Sequence, residues 1–240
     1  TGTSIGIKEI SEYYGISKNK IFKIPHPAPS FFDEIITDDN SSIEILKKYN
    51  LQKNNYVIYP AQFWPHKNHI AYIDLAQEFK LDFFRDFKIV FCGSDKGNWE
   101  YIKYHIKKND VSDVVFNLGF ISEYELCILY RNAIALLYLS FCGPENLPPL
   151  EAFKNNCPVV ASKNQGSIEQ LGEAALLVDP QNQNEIFNKL KDVIFNGDFK
   201  SKLILKGKQL VNSRSTKSFV DTLQAIIFNH KKYFRSWTDV

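Results

Sequence analysis

The sequence predicts an α/β fold: a doubly wound, parallel, Rossmann-like sheet followed by a helical C-terminal tail. Three observations carry this. Between Tyr56 and Val178 short apolar runs alternate with helical patterns, which is the signature of a parallel sheet wrapped by helices. Most of the runs are continuous rather than alternating, as strands covered on both faces are. From Gln181 onward the strand signals stop.

The elements follow in order. Ile5 to Tyr14 reads as a helix ended by Gly15, and Lys20-Ile21-Phe22-Lys23-Ile24 as a strand. Pro25, Pro27 and Pro29 then make a stiff linker. One helix and one strand cannot form a domain, so residues 1–28 read as the end of a preceding domain plus a linker. The apolar runs that follow are Tyr56 to Tyr59, Phe87 to Phe91, Val114 to Phe116, Ala133 to Leu139, Pro158 to Ala161 and Ala174 to Val178. Between them, Lys67 to Lys80 places Ile70, Ile73 and Phe79 broadly on one side of a helix. Ser122-Glu123-Tyr124-Glu125 is a capping box opening another, with Leu126, Leu129 and Tyr130 inside it. Ile186, Leu190, Val193 and Ile194 start the helical tail, continued by Leu203 to Val211 and Phe219 to Phe228. Residues 29–215 thus form the sheet domain. Residues 216–240 form a last helix, with Trp237 near its end, that packs back toward the preceding domain.

Composition narrows the function classes. The 240 residues are 44% hydrophobic, enough for a substantial core. A formal net charge of +2 argues against a nucleic-acid partner held by bulk charge. Cys92, Cys127, Cys142 and Cys157 form no C-x-x-C pair and stand at no zinc-like spacing from histidine. They read as buried reduced thiols, which suits a reducing, cytoplasmic compartment. No apolar stretch is long enough to span a bilayer, and Thr1 to Ile10 has no signal-peptide character.

In a doubly wound sheet ligands collect at the carboxyl ends of the strands, so the loops after strands are where chemistry is expected. The first, Pro60 to His69, puts Lys67 at the predicted helix start. A cation there opposes the helix dipole unless it and the helix share an anion; an exposed lysine beside aromatic packing is the equal alternative. The second, Cys92-Gly93-Ser94-Asp95-Lys96-Gly97, lacks G-x-G-x-x-G spacing, reads as a tight turn, and weakens any nicotinamide-cofactor reading. The third, Ser140 to Phe153, breaks at Gly143 and Pro144 and enters a helix at Pro148 and Pro149, ended at Asn155-Asn156. Glu151 then lies in the first turn, as a carboxylate stabilising the helix end or as a bidentate acceptor for two sugar hydroxyls; position alone favours the former. The fourth, Ser162 to Ser167, has Ser167 as a candidate cap.

Taken together, the segments Tyr59-Pro60-Ala61 through His66-Lys67-Asn68-His69, Val115 to Phe120, Leu147 to Phe153 leading into Pro158 to Ser162, and Ala174 to Pro180 resemble the C-terminal half of family-4 (group 1) retaining glycosyltransferases of the GT-B type. The resemblance covers residues 1 to about 230. It implies that Lys67 binds the donor diphosphate, Glu151 the ribose hydroxyls, backbone around Asn146 and Leu147 the distal phosphate and sugar, and residues after Gly119, such as Phe120, the base. Gln62, His66, Gly93 and Gly143 would complete the nucleotide-sugar site. Two positions depart from the family. Gly143 stands where a donor-sugar Glu is usual, in a subgroup form Gly143-Pro144-Glu145-Asn146-Leu147-Pro148-Pro149-Leu150-Glu151, and Gln62 stands where an Arg is usual. Glu145 is the candidate to take over part of the missing carboxylate's role, so Lys67, Glu151 and Glu145 form the expected catalytic set.

No D-x-D occurs, in keeping with metal-independent transfer with retained configuration and no cofactor beyond the nucleotide-diphosphate sugar. The acceptor, a glycan or lipid-linked sugar in surface polysaccharide or lipopolysaccharide synthesis, would sit on the preceding domain, with peripheral contact at the inner face of the membrane. Two other readings share the fold: a nucleotide-sugar epimerase, and a non-catalytic nucleotide-sugar-binding protein, which Gly143 would favour.

Overall fold

The structure is a computed structural model that describes every residue except 82–85, 144, 239 and 240; for residue 81 and residues 231–238 it describes backbone alone. Six parallel strands form one sheet: β1 (Tyr56–Pro60), β2 (Lys88–Cys92), β3 (Val115–Asn117), β4 (Ala135–Tyr138), β5 (Val159–Ser162) and β6 (Leu176–Val178). Their order is β3-β2-β1-β4-β5-β6. β1 pairs β2 from Tyr56↔Lys88 to Pro60↔Cys92, and pairs β4 at Val57↔Ala135 and Ile58↔Leu136. The winding reverses between β1 and β4, so the expected doubly wound sheet is present and its switch point lies there.

Among the described residues, eleven helices surround or follow the sheet: α1 (Ser4–Tyr14), α2 (Phe31–Glu34), α3 (Asp39–Lys48), α4 (Ala71–Leu81), α5 (Trp99–Lys108), α6 (Glu123–Asn132), α7 (Leu147–Lys154), α8 (Gln165–Leu171), α9 (Gln183–Phe195), α10 (Gly197–Ser213) and α11 (Thr216–Thr238). The six strands read between Tyr56 and Val178 all form, with Val57, Ile58, Val90, Leu136 and Val160 at 0–1% exposure. Ser122 caps α6 through the expected reciprocal box with Glu125. A second box, Asp38 with Ser41, opens α3.

Several expectations are corrected. Lys20 to Ile24 is no strand: Lys18–Lys20 is a 3-10 turn and the rest is extended chain. Ile21, Phe22 and Ile24 imitate a strand, but the prolines that follow offer no ladder, and the segment's backbone bonds the first residue instead, with the Thr1 ammonium donating to the Phe22 carbonyl at 3.1 Å and the Ile24 N–H to the Thr1 carbonyl at 2.8 Å. Lys67 does not start a helix. It ends a 3-10 turn, Pro65–Lys67, closed by Asn68 in the left-handed conformation (φ 56°), and α4 begins only at Ala71. Glu151 is the fifth residue of α7, in its second turn rather than its first. Asn164, not Ser167, caps α8, accepting from the Ser167 amide. Of the four cysteines, Cys142 is exposed while Cys92, Cys127 and Cys157 are buried, all as free thiols.

Among the described residues no helix is long and apolar enough to cross a membrane. The Trp237 side chain and Pro144 lie outside what the structure describes. Along α11, Val220, Leu223, Ile227 and Phe228 are exposed.

Candidate nucleotide-sugar site

The carboxyl ends of β1 and β4 open into a cleft of about 480 Å³ at the switch point, within the range of ligand sites. β1 and the loop after it supply Pro60, Ala61, Gln62 and Lys67 to its wall; β4 and the loop after it supply Tyr138, Glu145 and Asn146; α7 supplies Leu147, Pro148 and Glu151. Six of the residues singled out in the sequence therefore meet in one place: Gln62, Lys67, Glu145, Asn146, Leu147 and Glu151. Four do not line it. His66 is exposed, beside Lys67 in the 3-10 turn. Phe120 stands 89% exposed after β3. Gly93 packs the end of β2 against β1, where a Cβ would meet the Ala61 carbonyl oxygen at 2.3 Å. Gly143 lines a neighbouring cavity with Ile5, Glu9, Phe141 and Cys142.

Lys67 is held from three sides. Its carbonyl accepts from the Tyr59 hydroxyl at 2.8 Å. Its Nζ donates to the Tyr138 hydroxyl at 3.0 Å and lies over the same ring. The Phe141 amide donates to the His66 carbonyl at 2.9 Å, tying the turn to the loop after β4 across the switch point. Burial pushes the Lys67 ammonium below its ordinary pKa, and no carboxylate among the described residues lies in ion-pair reach. A half-buried cation without a counter-ion is poised to gain from an anionic ligand. His66 is likewise lowered, by burial and then by Lys67. Behind them His69, 1% exposed among Tyr59, Phe63 and Phe91, is driven down to about 3 by burial and by Lys67, so it is neutral.

Glu151 faces the cleft from α7 and accepts from the buried Tyr130 hydroxyl at 3.0 Å. Burial raises its pKa despite that bond. It has no basic partner among the described residues, and so keeps acceptor capacity for hydroxyl donors.

The start of α7 is unusual. Pro148 and Pro149 have no N–H, and the Asn146 amide donates to Gln170 Oε1 at 2.9 Å. The amide left at this end is that of Leu147. The expectation that backbone around Asn146 meets phosphate is thus corrected for Asn146 itself, whose side chain instead accepts from the Tyr138 hydroxyl at 2.8 Å.

Glu145 is neither solvated nor free. Its side chain is 10% exposed, with Oε1 accepting from the His26 amide at 2.8 Å and Oε2 3.9 Å from His26 Nε2. Gly143 has φ +138°, and a Cβ there would lie 2.5 Å from Asn146 Oδ1. Its glycine is a backbone requirement, which no carboxylate-bearing residue meets without strain.

Sequence reading missed Tyr138, Tyr130 and Gln170. Tyr138 was visible as a hydroxyl at the last residue of a strand that opens the ligand end of the sheet. Tyr130 and Gln170 sit in helical patterns that nothing local distinguishes from core.

A family model described as "Glycosyl transferases group 1" matches residues 41–210. The O-antigen chain mannosyltransferase RfbU of Salmonella typhimurium is 30% identical over 154 residues, which cover 64% of this chain and 42% of that protein. The chain therefore spans less than half the length of this curated relative. Two solved structures share the fold at low identity. A glycosyltransferase from Rickettsia africae ESF-5 has a TM-score of 0.82 at 18% identity, over 94% of this chain and 61% of that one. Anabaena Alr3699/HepE in complex with UDP and glucose has a TM-score of 0.81 at 16% identity, over 97% of this chain and 62% of that one.

Proposed function

Because the chain belongs to the group 1 glycosyl transferases, we propose that it is the donor-binding half of a retaining GT-B enzyme. The enzyme moves a sugar from a nucleoside-diphosphate sugar to an acceptor hydroxyl without a metal. The observation that carries this is the cleft between β1 and β4, which brings a half-buried cation, Lys67, and a carboxylate, Glu151, neither with an ion-pair partner among the described residues, beside the start of α7, which its N-cap side chain leaves uncapped.

In this reading Glu151 accepts from the two ribose hydroxyls, and Lys67 lies on the diphosphate with the Leu147 amide. As the bond from anomeric carbon to phosphate oxygen breaks, negative charge grows on the leaving diphosphate. A preformed ammonium and helix end stabilise it without reorganisation, the work a divalent ion does in metal-dependent transferases. Gln62 flanks the phosphates, and Glu145 borders the sugar. The acceptor, a glycan or lipid-linked sugar of a surface polysaccharide, binds a preceding domain whose last segment is residues 1–28, at the cytoplasmic face of the membrane. The name of the Salmonella relative makes a mannosyl donor the first to try.

The test is a melting-temperature screen with UDP, GDP and their sugars, with and without EDTA, since a ligand selective for the folded state stabilises it by mass action. A rise for one diphosphate, insensitive to EDTA, is expected; no rise for any sinks the reading. The 240 residues alone should bind donor nucleotide and fail to transfer sugar, and transfer by them alone would refute the proposed division of labour.

A further inference from the structure

Gln170 does not line the cleft, yet it controls the cleft's most constrained wall. It is 1% exposed, and its side-chain amide forms a reciprocal pair with the Asn146 backbone. Oε1 accepts from the Asn146 N–H at 2.9 Å and Nε2 donates to the Asn146 carbonyl at 2.8 Å. The pairing imitates two rungs of a β-ladder across 24 positions of sequence and fixes the residue from which α7 departs. Gln170 is itself held, because its carbonyl accepts from Arg214 Nη2 at 2.7 Å, at the junction of α10 and α11.

Resting on the donor-site reading above, we propose that Gln170 is the positioning residue of the diphosphate subsite. Three consequences follow from the pair. It consumes the Asn146 amide, leaving Leu147 as the amide available to an anion at this helix start. It fixes the Asn146 side chain so that Oδ1 receives the Tyr138 hydroxyl at 2.8 Å, which in turn receives Lys67 Nζ at 3.0 Å. And it requires an amide rather than an acid: a carboxylate has no N–H for the Asn146 carbonyl and would set negative charge at the helix end meant for phosphate. A residue that only filled space would need none of these.

The experiment measures calorimetric affinity of the full-length protein for whichever of UDP and GDP binds, and for the matching nucleoside. Gln170→Glu and Gln170→Met are compared with wild type. Diphosphate affinity should fall at least tenfold in both variants while nucleoside affinity stays within twofold. Wild type that binds neither diphosphate would overturn the donor-site reading itself. Wild type that binds, with variants that bind equally well or lose nucleoside and diphosphate in proportion, would overturn the role of Gln170 and leave that reading intact. Amide exchange on wild type covers the case of variants that do not fold. The Asn146 N–H should be protected with and without diphosphate, and the Leu147 N–H protected only with it. A fast-exchanging Asn146 amide that diphosphate protects would refute the assignment.

Discussion

At the scale of single residues the cleft places groups where they cost stability. Glu151 is raised by burial, so its contribution to stability is complete below the ordinary carboxylate range and is lost as pH rises through its folded value. Glu151→Gln should therefore melt higher than wild type at pH 7, and the gap should close at pH 4 and below; a lower melting point at neutral pH would show the charge to be satisfied. Glu151→Ala should weaken nucleoside-diphosphate binding by about 1.5–3 kcal/mol, the range for hydrogen bonds to a charged group, read by calorimetry. Lys67→Ala should lose little nucleoside affinity, more for the monophosphate and most for the diphosphate, with losses that shrink in salt; equal losses for all three would make Lys67 a structural residue. Gly143→Glu, which restores the commoner family residue, should instead destabilise by about 1–3 kcal/mol through its positive φ, read by denaturant unfolding. Lys67 and Glu151 were legible as candidates because each stands in a motif that follows a strand. Glu145's bond to His26 was not, because a contact across 119 positions leaves no local trace.

At the scale of elements, local chemistry was legible and tertiary context was not. The capping box of α6 and the proline entry of α7 could be read because each is built from adjacent residues. The delay of α4 to Ala71 could not, since the pattern of Ile70, Ile73 and Phe79 extends smoothly through the turn that precedes it. What breaks the helix is Asn68 at φ 56°, 8% exposed, with Nδ2 toward the Pro180 carbonyl at 3.4 Å. The turn is what delivers Lys67 to Tyr138. Asn68→Gly should be tolerated, whereas Asn68→Ala should cost about 1–2 kcal/mol of stability, the penalty of a left-handed residue with a Cβ, and lower diphosphate affinity as well. Equal stability of the two variants in chemical denaturation would remove the turn from the argument.

At the scale of the molecule, two carboxylates join residues 1–28 to the sheet. Glu145 takes the His26 amide, and Glu169 takes the Ser4 amide at 2.7 Å, the Ile5 amide at 3.2 Å and Lys23 Nζ at 3.2 Å. Burial pushes Glu169 up, but these bonds outweigh it and hold it at about 2. Its stabilisation is present above the ordinary carboxylate range and lost as pH falls from about 4.5 toward 2. Proteolysis between residues 15 and 30 should accelerate over that window, and Glu169→Gln should show the fast rate already at pH 7. The order of the strands was legible only as a class, since alternation announces a parallel sheet without naming neighbours. That order also carries a consequence in time. A chain leaving the ribosome can complete β1, β2 and β3 by residue 117, because these strands neighbour one another in space as in sequence. The cleft has no second wall until β4 and α7 have been synthesised and docked against β1. Nascent chains arrested shortly after residue 117 should acquire protease-resistant structure but no nucleotide retention, and those arrested well past residue 154 should have both.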